Sequence, residues 1–145
     1  MENCIFCKII AKNIPSAKIY ENEKVYAFLD LSQTTLAHTL LVPKIHVKDI
    51  FEYDEKIASE VFTHIPKIAQ ALEKALPDMK GLNIINNNRK IAYQSVFHSH
   101  IHLIPRYSSE DDFHIHFGDH SDQYTTTYLK RVAQKIEAAI KIKRN

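Results

Sequence analysis

Glycine is scarce in this 145-residue chain, with Gly81 and Gly118 the only two. Two isolated glycines cannot build a glycine-rich phosphate loop, which excludes the nucleotide-binding folds that depend on one. Cysteine is equally sparse. Cys4 and Cys7 alone cannot staple a secreted scaffold, so the expectation is a cytoplasmic protein with reduced thiols. No run reaches the roughly 18 apolar residues of a membrane span. The segment from Cys4 to Ile10 is too short, and too soon interrupted by Lys8, to act as a secretory signal. An excess of one charge is also missing. Nineteen Lys and Arg against 17 Asp and Glu give a formal net charge of +2, so neither nucleic acid nor a membrane surface is expected as a partner. The single basic cluster, Lys141, Lys143 and Arg144, reads as the cap of a last helix.

What remains is an ordinary globular composition, 45% hydrophobic and 25% charged, in a length that suits one domain over residues 1–145. Ile5 to Ile10 reads as a short helical turn. Ala17 to Tyr20 and Val25 to Leu29 flank the polar turn Glu21-Asn22-Glu23-Lys24 and predict a hairpin. Thr39 to Val42, closed by Pro43, predicts a buried strand, and Leu82 to Ile85 and Phe97 to Ile104 predict two more. Asp54 caps a helix whose apolar positions Ile57, Val61, Ile65, Ile68, Leu72 and Leu76 step by three or four. Pro66 inside that pattern must kink it, or end one helix and start another. Leu129, Val132, Ile136, Ala139 and Ile140 mark a C-terminal amphipathic helix. Strands mostly follow strands, which favours an α+β fold on an antiparallel sheet over a doubly wound parallel one.

Histidine is the residue in excess, nine in all, and it clusters. In Phe97-His98-Ser99-His100-Ile101-His102-Leu103-Ile104, alternation places His98, His100 and His102 on one face of a strand. Phe97, Ile101 and Leu103 then point to the core. Three imidazoles in a row offer neutral bases, nucleophiles and hydrogen-bond donors near pH 7, suited either to a metal or to a phosphate that is gripped and attacked. Cys4-Ile5-Phe6-Cys7 is a C-x-x-C pair, which on its own fits a redox couple, buried thiols or half of a zinc site. His114, His116 and His120 form a second cluster near Glu110, Asp111 and Asp112, read as an exposed loop.

His98 to Ile104 resembles the H-φ-H-φ-H-φ-φ pattern of the histidine-triad (HIT) superfamily, with Ser99 at an apolar place. Phe28-Leu29-Asp30 and His38-Thr39-Leu40-Leu41-Val42-Pro43-Lys44-Ile45-His46 resemble the same family's ribose aspartate and its "H-x-L-V-x-P-K-x-H" strand. Asn87-Asn88 resemble its phosphate-side asparagine. The likeness covers roughly residues 4–107, closest to the Hint branch. It implies a HIT-like fold of about five antiparallel strands with a long central helix, followed by a loop and C-terminal helix over 108–145.

By that resemblance His100 attacks the α-phosphorus of a purine nucleotide and forms a nucleotidyl-histidine that water then cleaves. A neutral imidazole can do this once its other nitrogen is fixed by an acceptor such as a backbone carbonyl. His102 steadies the phosphate, Ser95 assists the leaving group, and Gln94 and Asn87 lie along the phosphate. Asp30 takes the ribose, while Phe6, Phe28 and Ile45, with Ile10, are candidates for the base pocket. Zinc-bearing relatives add two histidines to such a cysteine pair. The corresponding residues, His46 and His98, would complete a Cys2His2 site with no open position, hence structural zinc. The resemblance also implies a homodimer.

Three departures stand out. Gln33 replaces a proline, Ala37 a glycine, and Asn88-Arg89-Lys90-Ile91-Ala92-Tyr93 a loop that usually contains glycine. Two competing readings accompany the enzyme: a nucleotide-binding regulatory module with little turnover, and a metal-dependent hydrolase using the three histidines directly.

Overall fold

The computed structural model describes residues 3–142, which fall into two compact units divided between Phe113 and His114. In the first unit, Cys4 caps helix α1 (Ile5–Ile10) by accepting the Cys7 N–H on its sulfur. The helix ends with Lys12 in the left-handed region (φ 63°), its N–H on the Ile9 carbonyl and the Asn13 N–H on the Lys8 carbonyl. That is the closing pattern glycine usually serves, met here by lysine. The scarcity of glycine recurs throughout: neither glycine takes a positive φ, whereas Lys12, Ala37, Arg89 and Tyr93 do.

Strands β1 (Ala17–Glu21), β2 (Val25–Leu29), β3 (Thr39–Pro43), β4 (Gly81–Ile85) and β5 (Ile101–Arg106) form one antiparallel sheet in the order β1-β2-β3-β5-β4. The expected α+β fold with five strands is the one observed. β2 and β3 lie inside the sheet and are apolar on both faces, as strands covered on two sides must be. Val25, Ala27, Leu41, Ile101 and Leu103 pack on one face with Val61, Ile65, Ile68 and Leu72. Tyr26, Phe28, Leu40 and Val42 pack on the other with Phe6 and Ile9 of α1.

The expected long central helix is two helices, α2 (Glu55–Phe62) and α3 (Ile65–Ala75). Asp54 caps the first, accepting the Ile57 N–H at 2.7 Å. Pro66 falls in the first turn of the second, where its missing N–H has no intrahelical partner to lose. The proline therefore starts a helix instead of kinking one.

In the second unit, α4 (Thr126–Ile140) is capped by Thr125, whose hydroxyl accepts the Tyr128 N–H at 3.1 Å. None of its residues is buried. Lys141 pairs with Glu137 at 3.1 Å, while Lys143 and Arg144 of the expected basic cap lie outside the described residues.

Candidate active site and metal centre

The histidine segment is less strand-like than its alternation predicts. β5 begins at Ile101, so only His102 sits on the sheet ladder, opposite Leu40 and Ile85. The chain before it is held by the loop after β3: Ser99 N–H donates to the Val47 carbonyl at 2.7 Å, and Gln94 Nε2 to the Lys48 carbonyl at 2.6 Å. Phe97 is 46% exposed and does not join the core, because that stretch has no neighbouring strand to dictate its pleat.

Each imidazole has its protons assigned by its partners. His100 Nδ1 lies 2.8 Å from the His98 carbonyl, which accepts only, so Nδ1 carries the proton and Nε2 carries the lone pair. This is the fixed acceptor that a neutral imidazole needs before it can act as a nucleophile. His38 Nδ1 accepts the Thr34 N–H at 3.3 Å, so its Nε2–H donates to His102 Nδ1 at 2.9 Å. His102 therefore presents Nε2–H as a donor. Burial lowers the pKa of His38 and of His100, and brings His102 down to about 4 with help from the neighbouring His100 and His38 rings. All three are neutral near pH 7, as these tautomers demand.

His98 is fully buried and donates Nε2–H to the Pro43 carbonyl at 2.7 Å, leaving the Nδ1 lone pair free to bind. That nitrogen lies 3.4 Å from Cys4 Sγ, 3.5 Å from Cys7 Sγ and 3.2 Å from His46 Nδ1, and Cys7 Sγ lies 3.3 Å from His46 Nδ1. A tetrahedral zinc with bonds of about 2.3 Å to sulfur and 2.0 Å to nitrogen needs donor–donor edges of roughly 3.3–3.8 Å. The four residues fit that ion. Burial, with the adjacent Cys4 thiol, pushes the Cys7 thiol up to about 11, so a metal entering here displaces a proton. Asp30, His38 and His102 also approach closely enough to hold a cation, but His38 and His102 already spend the facing nitrogens on each other.

The other candidates divide. Phe6 sets its ring edge-on to His100 at 5.0 Å and packs on Phe28 at 5.8 Å, so these two do line the histidine side of the sheet, with Ile10 packed beside them. Asp30 keeps one oxygen on the Ser32 N–H and turns the other toward His38 at 3.8 Å. Gln33 ties the Asp30 and His38 carbonyls together with its side-chain amide.

Ile45, by contrast, is 55% exposed and lines a separate cavity with Lys24, Asp54 and Glu60. It does not join Phe6, Phe28 and Ile10, because its strand has ended at Pro43. Gln94 is buried with both amide hydrogens committed, to the Lys48 and Val96 carbonyls, and its oxygen accepts the Arg89 N–H. It braces loops and has no donor left for a phosphate. Ser95 is exposed on a cavity of about 440 Å³ shared with Cys4, His46 and Phe97. Asn87 is half-buried. His114, His116 and His120 are exposed and, among the described residues, gather no metal-capable cluster.

Three contributors were not assigned roles from sequence. His38 orients His102, and its place at the head of the H-x-L-V-x-P-K-x-H pattern was the available signal. Asn86 donates Nδ2–H to the His100 carbonyl at 2.9 Å, anchoring the His100 backbone. Tyr53 OH meets Ser99 Oγ at 2.9 Å in the core, which explains how a serine is accommodated at an apolar place of the motif.

The HIT domain family matches residues 11–109. The chain belongs to the HIT family. It is 48% identical over 135 residues to the protein hit of Bacillus subtilis, covering 93% of this chain and 92% of that one. A crystal structure of a HIT family member from the same organism superposes with a TM-score of 0.90 at 45% identity, covering 99% of both chains. An adenosine 5'-monophosphoramidase of Candida albicans is 39% identical over 72% of this chain and 70% of that protein. A zinc-bound histidine triad protein of Mycobacterium smegmatis matches with a TM-score of 0.73 at 28% identity, over 95% of this HIT chain and 98% of that one.

Proposed function

We propose that this HIT protein is a Hint-like nucleotide hydrolase or transferase. It cleaves purine nucleoside phosphoramidates, acyl-nucleotides or dinucleoside polyphosphates at the α-phosphate and releases a nucleoside monophosphate. The observation that carries this reading is the 2.8 Å bond from His100 Nδ1 to the His98 carbonyl, which leaves Nε2 unprotonated with its lone pair available. Nε2 attacks the α-phosphorus, the bond to the leaving group breaks, and a nucleotidyl-histidine forms. His102 Nε2–H donates to the charge that builds on the phosphate oxygens, with its direction set by His38. Asp30 takes the ribose hydroxyls, and Phe6 and Phe28 flank the base. Ser95 and Asn87 lie along the phosphate path. Water then cleaves the phosphorus–nitrogen bond and frees His100. The related adenosine 5'-monophosphoramidase supports this choice of reaction class.

Cys4, Cys7, His46 and His98 fit a structural zinc, and a zinc-bound family member supports that ion. When bound, zinc supplies a crosslink between the N-terminal turn and the segment holding His100, and no chemistry on substrate. The reading includes a homodimer and a cytoplasmic location.

The deciding experiment follows AMP release from adenosine phosphoramidate. Wild type turns over, and His100→Ala loses at least about 10³-fold, as expected when a nucleophile is deleted from a preorganised site. Undiminished turnover by His100→Ala overturns the mechanism. Tight AMP binding by a wild type without turnover identifies a regulatory binding module instead.

A further inference from the structure

Four protein ligands close the coordination of the candidate zinc site, but they do not close it to solvent. Cys4 and His46 line the open cavity of about 440 Å³, together with Ser95 and Phe97. Cys4, Cys7 and His46 are half-buried, and His98 alone of the four is sealed. A molecule as small as hydrogen peroxide therefore reaches Cys4 through that cavity.

The two sulfurs are also placed to react with each other. Cys4 caps α1 by accepting the Cys7 N–H on its sulfur at 3.4 Å. Both sulfurs stand against one nitrogen, His98 Nδ1, at 3.4 and 3.5 Å. The ligand atoms of the cluster all lie within 4.8 Å of one another, so side-chain rotation can close the pair to the roughly 2.0 Å of a disulfide. The chain has no other cysteine, and any disulfide within it joins these two.

Two routes lead from the sulfurs to the histidine segment. His98 faces them with Nδ1, while its backbone carbonyl accepts the His100 Nδ1–H at 2.8 Å. Phe6, between the cysteines in sequence, sets its ring edge-on to His98 at 5.9 Å and to His100 at 5.0 Å. Whatever moves the sulfurs bears on the groups that orient His100.

We propose that Cys4 and Cys7 are a reversible oxidation site, which a peroxide closes to a disulfide that releases the metal and slows His100. The slowing rests on the proposed function, and the oxidation does not. Cys4 Sγ bonds to one oxygen of hydrogen peroxide as the oxygen–oxygen bond breaks, and the departing hydroxide takes the thiol proton and leaves as water. Cys7 Sγ then bonds to Cys4 Sγ. The sulfur–oxygen bond breaks, and the hydroxide leaves as water with the Cys7 proton. The sum is two thiols plus hydrogen peroxide to one disulfide plus two waters, with two electrons passing from sulfur to peroxide. Where both sulfurs are already deprotonated as metal ligands, the two protons come from solvent. A disulfide offers no thiolate to a metal, so His46 and His98 remain as the only ligands and the ion leaves. A dithiol reverses the change by exchange.

The test treats zinc-loaded wild type with hydrogen peroxide and follows mass, metal and rate. Intact mass reads the loss of two hydrogens, a zinc-sensitive dye reads released metal, and AMP release from adenosine phosphoramidate reads kcat. About one zinc should leave per disulfide formed. While circular dichroism shows the protein still folded, kcat should fall at least about tenfold, within the 10²-fold that a misplacement of about 1 Å can cost. Dithiothreitol followed by zinc should restore mass, metal and rate, which separates the disulfide from methionine oxidation. Cysteine that gains oxygen without forming a disulfide, or a disulfide formed with zinc still bound, overturns the proposal. Full kcat in the zinc-free disulfide form overturns the link to His100, as does an oxidised form that simply unfolds. A wild type that never turns over the phosphoramidate overturns the proposed function, while mass and metal still judge the oxidation.

Discussion

The two faces of the sheet are held by different forces. Under α2 and α3, Val25, Ala27, Leu41 and Leu103 are sealed from water by aliphatic neighbours, and the attraction there is non-directional burial of area. On the α1 side, His102 of β5 and His38 just before β3 share the sheet with Phe28 and Leu40, with His98 and His100 buried next to Phe6. On that side every buried side-chain nitrogen and oxygen among the described residues has a partner, and the bonds to the imidazoles also decide where their protons sit. One face supplies stability. The other spends part of that stability on fixing lone pairs.

The largest expected effect comes from removing the crosslink on the histidine face. Cys4→Ser with Cys7→Ser should reduce bound zinc from about one per chain to none and lower stability by several kcal/mol, on the order of 5. Metal analysis and thermal denaturation read both. Zinc retained at full stoichiometry would show that the ion sits elsewhere and that the Cys4, Cys7, His46 and His98 cluster is not its site.

On the helix face the matching change is Leu41→Ala. Leu41 is fully buried between strands and helices, so the cavity left behind should lower stability by about 3 kcal/mol. The folded fraction should keep its kcat, because no side chain of the histidine face changes partner. A fall in kcat at a temperature where the variant remains folded would mean that the two faces are coupled.

Residues with a single dominant environment were the legible ones. The hairpin, β3 and α1 follow from apolar spacing and turn chemistry close in sequence, and Pro66 marked a break that the sequence left as either a kink or a division. The four metal candidates and the expected nucleophile came from the resemblance to the HIT family, and the structure brings Cys4, Cys7, His46 and His98 within reach of one another. The failures share a cause. Phe97, Ile45 and Gln94 lie where the chain leaves the ladder, and there the partner is a loop distant in sequence: Lys48 lies 46 residues from Gln94. Alternation says nothing about such a segment. Asn86 and Tyr53 were missed for the same reason, since each acts through a contact that only the fold creates. Ala37 was visible as a departure from glycine and Tyr93 as part of a loop that usually contains one, but the positive φ that makes glycine useful there is a property of the folded backbone.

The smallest effect concerns acid, and it separates the faces because the helix face has no buried histidine to protonate. Burial holds His102 neutral down to about 4, and it also lowers His38, so both rings stay neutral while the unfolded chain takes up protons near pH 6.5. Between pH 6.5 and 4 the unfolded state binds more protons than the folded state, and stability falls as pH falls. Below about 4 the His102 contribution levels off, since both states are then protonated. Asp30 is the carboxylate facing this pair, and it opposes the shift of both rings, as does the Ser32 backbone for His38; His100 is the remaining ring in contact with His102. Melting curves from pH 7 to 4 should therefore fall more steeply for wild type than for His102→Gln, by about 5 °C across the range. Gln keeps a polar partner for His38 but cannot titrate. Parallel melting curves for the two proteins would mean that His102 is not held neutral by its surroundings, and the tautomer assigned to it through His38 would fall with that result.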